Sequence, residues 1–303
     1  TGTVRQADSV LFGVDARGAL AINHGTSTAV EVGALDFPVA INDIAISGRY
    51  AYIVLPSTTN EFRILDITNP AAPTQVGALD FPGALGGVTV AGRYAYAGDA
   101  IIDISNPAVP VQVGSLGGNP TKGITVAGRY AYFESGADFD IVDISNPSAP
   151  TRIGRVDLSA FGTQTSVVNG GYAYVGLQDT VNEFRIIDVS NPTAPRAIGQ
   201  LNMSLGVNAI AISGRYAYVG DGDSTFRVVD ISNPAAPVQT GSIVLLPAAF
   251  PSGDIVVSGR YAYWGFSSGL STKDFRVIDI SNPSAPVEVG AISLPSSVNA
   301  ISV

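Results

Sequence analysis

Apolar residues along this chain come in short alternating bursts, never in a helical stripe. The stretch AIAISGRYAYVG (209–220) sets the pattern: small and branched residues alternate, a polar Ser-Gly-Arg interrupts, and Tyr-Ala-Tyr resumes the alternation. A period of two over four to seven residues predicts strands with one face buried. The unit continues with FRVVDI (226–231) and VQTGSI (238–243), separated by Asp221-Gly222-Asp223 and Asn233-Pro234. β-Branched and aromatic residues support strand at all four places, and the separators are turn formers. The unit therefore predicts four short antiparallel strands.

The same unit recurs. Gly-Arg-Tyr-Ala-Tyr begins at Gly48, Gly92, Gly128, Gly214 and Gly259, with Gly170-Gly171-Tyr172-Ala173-Tyr174 as a sixth version. Each is followed by Asp-[Ile/Val]-[Ser/Thr]-Asn-Pro, beginning at Asp66, Asp103, Asp143, Asp188, Asp230 and Asp279, and then by an apolar–Gly step such as Val76-Gly77. Four strands per roughly 40 residues, repeated, is the pattern of a β-propeller. The sole Trp, Trp264, stands in no repeating Trp-Asp pair, which disfavours a WD-type propeller.

Six complete units run within about 38–292. Residues 9–33 match strands two to four only weakly, and VNAISV at the end matches strand one alone. The expectation is an all-β, seven-bladed propeller forming a single domain over residues 1–303. Its first blade would join 297–303 to 9–33, with the other blades within about 38–292. Such a junction removes two sheet edges that would otherwise template aggregation.

The repeat resembles the LVIVD repeat family, on the strength of Gly-x-Tyr-Ala-Tyr, the apolar strand ending in Asp-[Ile/Val]-Ser-Asn-Pro, and the Pro-x-x-x-Gly strand. The N-terminal portion departs, with Asn23-His24-Gly25 where Asp and Asn-Pro would stand. The resemblance implies a propeller in secreted or surface-attached prokaryotic proteins. It implies no particular chemistry.

Composition narrows the functional classes. The net charge is −9, with only two lysines, Lys122 and Lys273. An acidic chain without a run of Lys or Arg argues against nucleic acid. No apolar run nears the roughly 20 residues that span a bilayer. There is no cysteine, hence no disulfide frame and no thiolate metal site. The opening TGTVRQADSV lacks both Met and an apolar signal core, the expectation for a mature or excised form. These features suit an extracellular or cell-surface location.

A four-stranded up-and-down blade places the turns after strands one and three on one face of the disc. The strand-two hairpins and the blade-to-blade linkers lie on the other. The first set is nearly invariant (Ser-Gly-Arg-Tyr and Ser-Asn-Pro), so a structural role is expected there, with Arg49 and its equivalents pairing with the Asp of the same unit. The second set varies in length and content, from Gly98-Asp99 to GFSSGLSTKDF (265–275). Binding is expected on that variable face.

Two features of it are candidates. The position ahead of strand one approaches the axis and reads Asn42, Gly86, Lys122, Gln164, Asn208, Gly253 and Asn299, with Asp43 and Asp254 beside it. These side chains could hydrogen-bond a sugar or line a water-filled mouth. The second feature is acidity, from Glu61, Asp138, Asp140, Glu183, Asp221, Asp223 and Asp274. Asp221 and Asp223 are a candidate calcium pair, with a solvated acidic hairpin as the alternative. No other cofactor is expected.

The only histidine, His24, maps to the invariant face, so a His-based triad among the variable loops is not expected. A carboxylate glycosidase needs only two acids. Three readings stand: a non-catalytic binding or adhesion propeller for a surface glycan or protein, a carboxylate-based hydrolase or lyase of extracellular polysaccharide, and a structural module of a surface layer or filament. The first is preferred, as a monomer or part of a larger surface assembly. Asn202-Met203-Ser204 is a formal glycosylation triplet of a kind that arises often by chance.

Overall fold

Each Ser-Gly-Arg turn closes a hairpin, and each hairpin is half a blade. The computed structural model describes residues 12–15, 18–21, 30–33, 35, 37, 39, 41–56, 59–118, 123–158, 163–178, 181–203, 205–245, 253–266, 275–292, 298 and 300–302. At the N-terminus lie β1 (Phe12–Asp15), β2 (Gly18–Ala21) and β3 (Val30–Gly33). The first repeat comprises β4 (Asp43–Ser47), β5 (Tyr50–Val54), β6 (Phe62–Asp66) and β7 (Thr74–Leu79). The second has β8 (Val88–Ala91), β9 (Tyr94–Ala97), β10 (Ala100–Asp103) and β11 (Val111–Ser115). The third has β12 (Ile124–Ala127), β13 (Tyr130–Ser135), β14 (Asp138–Asp143) and β15 (Thr151–Asp157). The fourth has β16 (Thr163–Asn169), β17 (Tyr172–Leu177), β18 (Phe184–Asp188) and β19 (Arg196–Leu201). The fifth has β20 (Val207–Ser213), β21 (Tyr216–Asp221), β22 (Thr225–Asp230) and β23 (Val238–Val244). The sixth has β24 (Ile255–Ser258), β25 (Tyr261–Gly265), β26 (Phe275–Asp279) and β27 (Val287–Ile292), and β28 (Ala300–Ser302) follows.

Each repeat forms one four-stranded antiparallel sheet from consecutive strands, and a further four-stranded sheet has the order β28-β1-β2-β3. The first strand of each sheet touches the first strand of the next, from β4 through β24 to β28 and back to β4.

The expectation of a seven-bladed propeller is corrected here. Six blades are built from the repeat. The sheet that joins the chain ends is not a seventh copy of them. Its strands are three or four residues long, and β2 and β3 register through only two pairs, Ala19↔Gly33 and Ala21↔Val30. It also lacks both the Tyr-Ala-Tyr and the Ser-Asn-Pro that shape the others. The molecule is therefore a propeller of six repeat blades with a short closing sheet. In that sheet β28 pairs with β1 through Phe12↔Ser302, Gly13↔Ile301 and Val14↔Ala300.

The blades pack through their aromatic alternation. The second Tyr of each Tyr-Ala-Tyr is buried, and in the first, third, fourth and fifth blades it stacks on the Phe at or next to the start of strand three. Tyr52–Phe62, Tyr132–Phe139, Tyr174–Phe184 and Tyr218–Phe226 have ring centroids 6.0–6.4 Å apart. The clusters that hold these pairs draw on two neighbouring blades, as where Val54 and Phe62 meet Val88 and Ile102. Sequence alternation thus becomes blade-to-blade core.

The outer strand carries a second lock. The register of strand three on strand four slips once per blade, for example between Ile64 and Leu65, leaving a bulge at Val76. Gly77 follows, directly beneath the Pro107 carbonyl of the next blade's Asn-Pro turn, so closely that no Cβ fits. Gly114 under Pro147, Gly154 under Pro192, Gly199 under Pro234 and Gly241 under Pro283 repeat it. The glycine of one unit and the Asn-Pro of the next are two halves of one contact.

Candidate functional site

The invariant face is consumed by its own structure. Asp66, Asp103, Asp143, Asp188, Asp230 and Asp279 each accept the N–H two residues on, as in Thr68 N to Asp66 Oδ1 at 2.9 Å. The Asn residues of the same turns do likewise, as in Ala71 N to Asn69 Oδ1 at 3.2 Å. The expected Arg–Asp pairs form: Arg49 meets Asp66 at 2.9 Å, and Arg93, Arg129, Arg215 and Arg260 meet Asp103, Asp143, Asp230 and Asp279. Where Gly171 replaces Arg, Arg196 from strand four reaches Asp188 instead, at 3.5 Å. The Arg93 guanidinium and the Ser105 hydroxyl hold the Asp103 carboxyl down at about 2. Each GRY arginine also lies over its own Tyr ring, 5.0–5.4 Å from the centroid.

On the variable face the structure sorts the acids. Glu61 and Glu183 are buried, and each accepts a backbone N–H at 2.8 Å from its own blade's outgoing linker, Phe81 and Met203 respectively. They are structural ties. Asp140 is buried in a bidentate pair with Arg155, at 2.6 and 2.8 Å, while Arg155 also meets Asp138 at 2.5 Å. Asp140 occupies the strand-three position where four other blades have Arg63, Arg185, Arg227 and Arg276. The third blade thus inverts the charge there and supplies its cation from strand four. Asp274, like His24 and Lys273, lies outside the described residues.

Of the candidates around the axis, Asn42 and Asp43 tie the first blade to the second. Asn42 Nδ2 donates to the Leu85 carbonyl of the next blade at 2.8 Å. Asp43 accepts the Ile44 N–H on Oδ1 and, across the junction, the Val88 N–H on Oδ2, both at 2.8 Å. Asp254 accepts the Ile255 N–H at 2.8 Å. Lys122 and Asn299 fall outside the described residues, as does the side chain of Gln164.

Asn208 is different. Its Oδ1 accepts from Nε2 of the exposed Gln178 in the preceding blade at 2.6 Å. Its Nδ2 lies 3.9 Å from where a Cβ on Gly222 would be, and Leu205 Cβ is 3.5 Å from the same point. The Asp221-Gly222-Asp223 hairpin and the fourth-to-fifth blade junction therefore meet. Gln178, Asn208 and Leu205 thus lie beside this hairpin, and Leu205 is 48% exposed.

Asp221, which opens the hairpin, is fully buried. Its Oδ2 takes the Arg227 Nε at 2.5 Å, and its Oδ1 accepts Thr225 N at 3.1 Å. Burial, reinforced by the hydrogen bond that its protonated carboxyl donates to Asp223, pushes Asp221 up to about 7 against the pull of Arg227. Burial also works against ionisation of Asp223, but hydrogen bonds from Asp221 and Thr225 outweigh it and hold that carboxyl below its ordinary value. Calcium needs six to eight oxygens. Here a guanidinium already caps one carboxylate, and no group of three or more His, Cys, Asp or Glu that could hold a metal occurs among the described residues. The pair does not fit a calcium cage.

One acid escaped sequence reasoning. Glu134, the fifth residue of β13, is 1% exposed, and its Oε1 has no hydrogen-bond partner. The corresponding residues elsewhere are Val54, Gly98, Gly176, Gly220 and Gly265. Burial pushes the Glu134 carboxyl up to about 7, opposed by the Ser166 hydroxyl of the next blade and by its own backbone. The available signal was the odd Glu among Val and Gly at a position that alternation turns inward.

The LVIVD repeat model matches six times, over residues 40–80, 82–116, 118–158, 163–202, 206–244 and 251–293. None of the curated proteins compared matches this sequence. Similar folds recur among solved structures. A Lactobacillus plantarum protein is 12% identical, with a TM-score of 0.80 over 96% of this chain and 98% of that one. The periplasmic gluconolactonase of Pseudomonas aeruginosa is 10% identical, with a TM-score of 0.77 over 97% and 99%. A functionally unknown protein from Desulfotomaculum acetoxidans is 13% identical, with a TM-score of 0.75 over 97% and 98%. At these identities the likeness is one of fold. Among the described residues no helix is long and apolar enough to cross a membrane. The six matches fall on the six blades whose Tyr-Ala-Tyr, Ser-Asn-Pro and glycine contacts were traced above, and the chain belongs to the LVIVD repeat family.

Proposed function

We propose that this propeller is a non-catalytic binding module, working outside the cytoplasm, that holds a glycan on its variable face at the junction of the fourth and fifth repeat blades. One observation carries the reading: Gln178, Asn208 and the exposed Leu205 lie together at that junction, beside the Asp221-Gly222-Asp223 hairpin. Amides and a carboxylate match sugar hydroxyls, and an aliphatic platform matches a sugar's apolar face. The location is supported by the absence of cysteine, the scarcity of lysine and the family resemblance. The hydrolase reading is weaker, because Glu134 and Asp221, the carboxyls with raised proton affinity, are both closed off from solvent.

The test is binding of the purified chain to a broad glycan array, with calcium and again with EDTA. A specific hit is expected that EDTA leaves unchanged and that Asn208→Ala and Asp223→Asn each weaken. A blank array, or a hit indifferent to both substitutions, would refute this site.

A further inference from the structure

The invariant face holds a charge arrangement that the sequence does not display. Arg49, Arg93, Arg129, Arg215 and Arg260 stand 36 to 86 residues apart from one to the next, yet all sit in the turns between strands one and two. Those strands are the innermost of each blade, so the turns encircle the axis on one end of the disc. Five guanidinium groups therefore share a ring, in a protein that carries only 16 basic residues.

Each is paired with an aspartate, and the ring is formally neutral. Exposure breaks the symmetry. The five arginine side chains are 58–61% exposed, whereas their aspartate partners are 13–20% exposed. The carboxylates point inward and are largely used. Asp103, for instance, gives Oδ2 to Arg93 and Oδ1 to both the N–H and the hydroxyl of Ser105. In Arg93, Arg129 and Arg260 the hydrogen bond to the carboxylate is made by Nη2, one of the three guanidinium nitrogens. Each pair is thus a small dipole with its positive end in solvent, and five such dipoles point the same way.

The guanidinium groups are also held still. Each lies over its Tyr ring and is fixed at one edge by the carboxylate, so less rotamer entropy is lost when it meets an anion. Exposed Arg–Asp pairs of this kind add little to stability. Asp188 keeps its turn without a GRY arginine, so the turn itself does not require this ring.

We infer that this face binds an anionic polysaccharide, with the five arginines donating to carboxylate or sulfate groups spaced along the chain. A polymer suits the ring because single contacts to exposed guanidinium groups are weak and several in series multiply. The surface lies on the opposite face from the proposed glycan site, so the two can be occupied together.

The experiment uses the whole chain on immobilised dextran sulfate and on polygalacturonate, with neutral dextran as control. At about 0.01 M salt, where screening extends over ~30 Å, retention on the anionic matrices alone is expected, with release as salt approaches roughly 1 M. Arg49/Arg93/Arg129→Gln should lower affinity at least tenfold while Arg49/Arg93/Arg129→Lys, which keeps the charge, retains most of it. The Lys variant also serves should the Gln variant melt early: a folded Lys variant that fails to bind overturns the proposal. So does a wild-type chain that passes through at low salt, or a folded Gln variant that binds undiminished. Equal affinity for duplex DNA would overturn the polysaccharide assignment.

Discussion

Glu134 gives the sharpest quantitative test of the structure. Its carboxyl is buried at the junction of the third and fourth blades, with Oε1 unpartnered. The groups around it are Ser166 from β16, Phe139 paired opposite it on β14, and Tyr132 two residues back on β13. No charged group contributes to its shift. The folded value of about 7 stands against 4.5 for the free side chain. That gap corresponds to on the order of 3 kcal/mol. The sign follows from proton counting. Between pH 4.5 and 7 the folded chain keeps a proton that the unfolded chain has lost, so stability falls as pH rises through that window and is level above it. Glu134→Gln removes the titration while keeping the shape. Subtracting the variant's curve from the wild type's cancels every other titrating group, Asp221 among them. The assay is thermal or urea unfolding of both chains at steps from pH 4 to 8. With an unfolding entropy of roughly 0.6 kcal/mol/K for 303 residues, the wild type should lose about 5 °C relative to the variant between pH 4.5 and 7.5. Parallel curves would refute the burial of an uncompensated carboxyl at this junction.

The blade locks and the closing sheet yield three further expectations. Gly154→Ala forces a Cβ against the Pro192 carbonyl and should cost about 3 kcal/mol, whereas Gly83→Ala, with nothing within 4 Å, should leave the melt unchanged. Equal melting of the two variants would show that the Asn-Pro turn yields freely. Asp43→Asn trades a carboxylate that accepts Val88 N–H across the junction for an amide, with an expected loss of roughly 1.5–3 kcal/mol in urea titrations. Deleting residues 298–303 removes the buried Val298, Ala300 and Ile301 together with the pairing to β1, and should lower the melting temperature by several degrees or more. An unchanged melt would show that the closing sheet contributes nothing.

The blades were legible because each level of the sequence agrees with the next. Tyr-Ala-Tyr gives the alternation and the buried ring, Gly-Arg gives the turn and its ion pair, and the apolar–Gly step gives the bulge and the seat for the next Asn-Pro. Repetition made the pattern visible without any second protein. The closing sheet misled for the complementary reason: residues 9–33 match strand patterns weakly, and weak alternation fixes neither strand length nor equivalence to the other blades. The site was less legible still. Asn42 and Asn208 occupy like positions in the repeat, yet Asn42 bonds the Leu85 carbonyl of the following blade and Asn208 meets Gln178 of the preceding one beside the Asp221 hairpin. The difference lies in which neighbouring blade each side chain meets, which no local pattern encodes.

The two faces of the disc are built under different constraints, and this bears on where binding can evolve. On the invariant face each Asp and Asn is committed to its turn, and a change there disturbs the next blade through the glycine contact. Only the outward arginine edges remain to act, and they act alike in five blades. That face is suited to a repetitive ligand. On the variable face Glu61 and Glu183 secure their linkers from inside, which leaves the hairpin tips above them open to differ. Individuality collects there, as in the charge inversion at Asp140, the buried Glu134 and the fifth-blade hairpin. A discriminating ligand belongs on the second face and a periodic one on the first, because specificity needs unlike neighbours and avidity needs like ones.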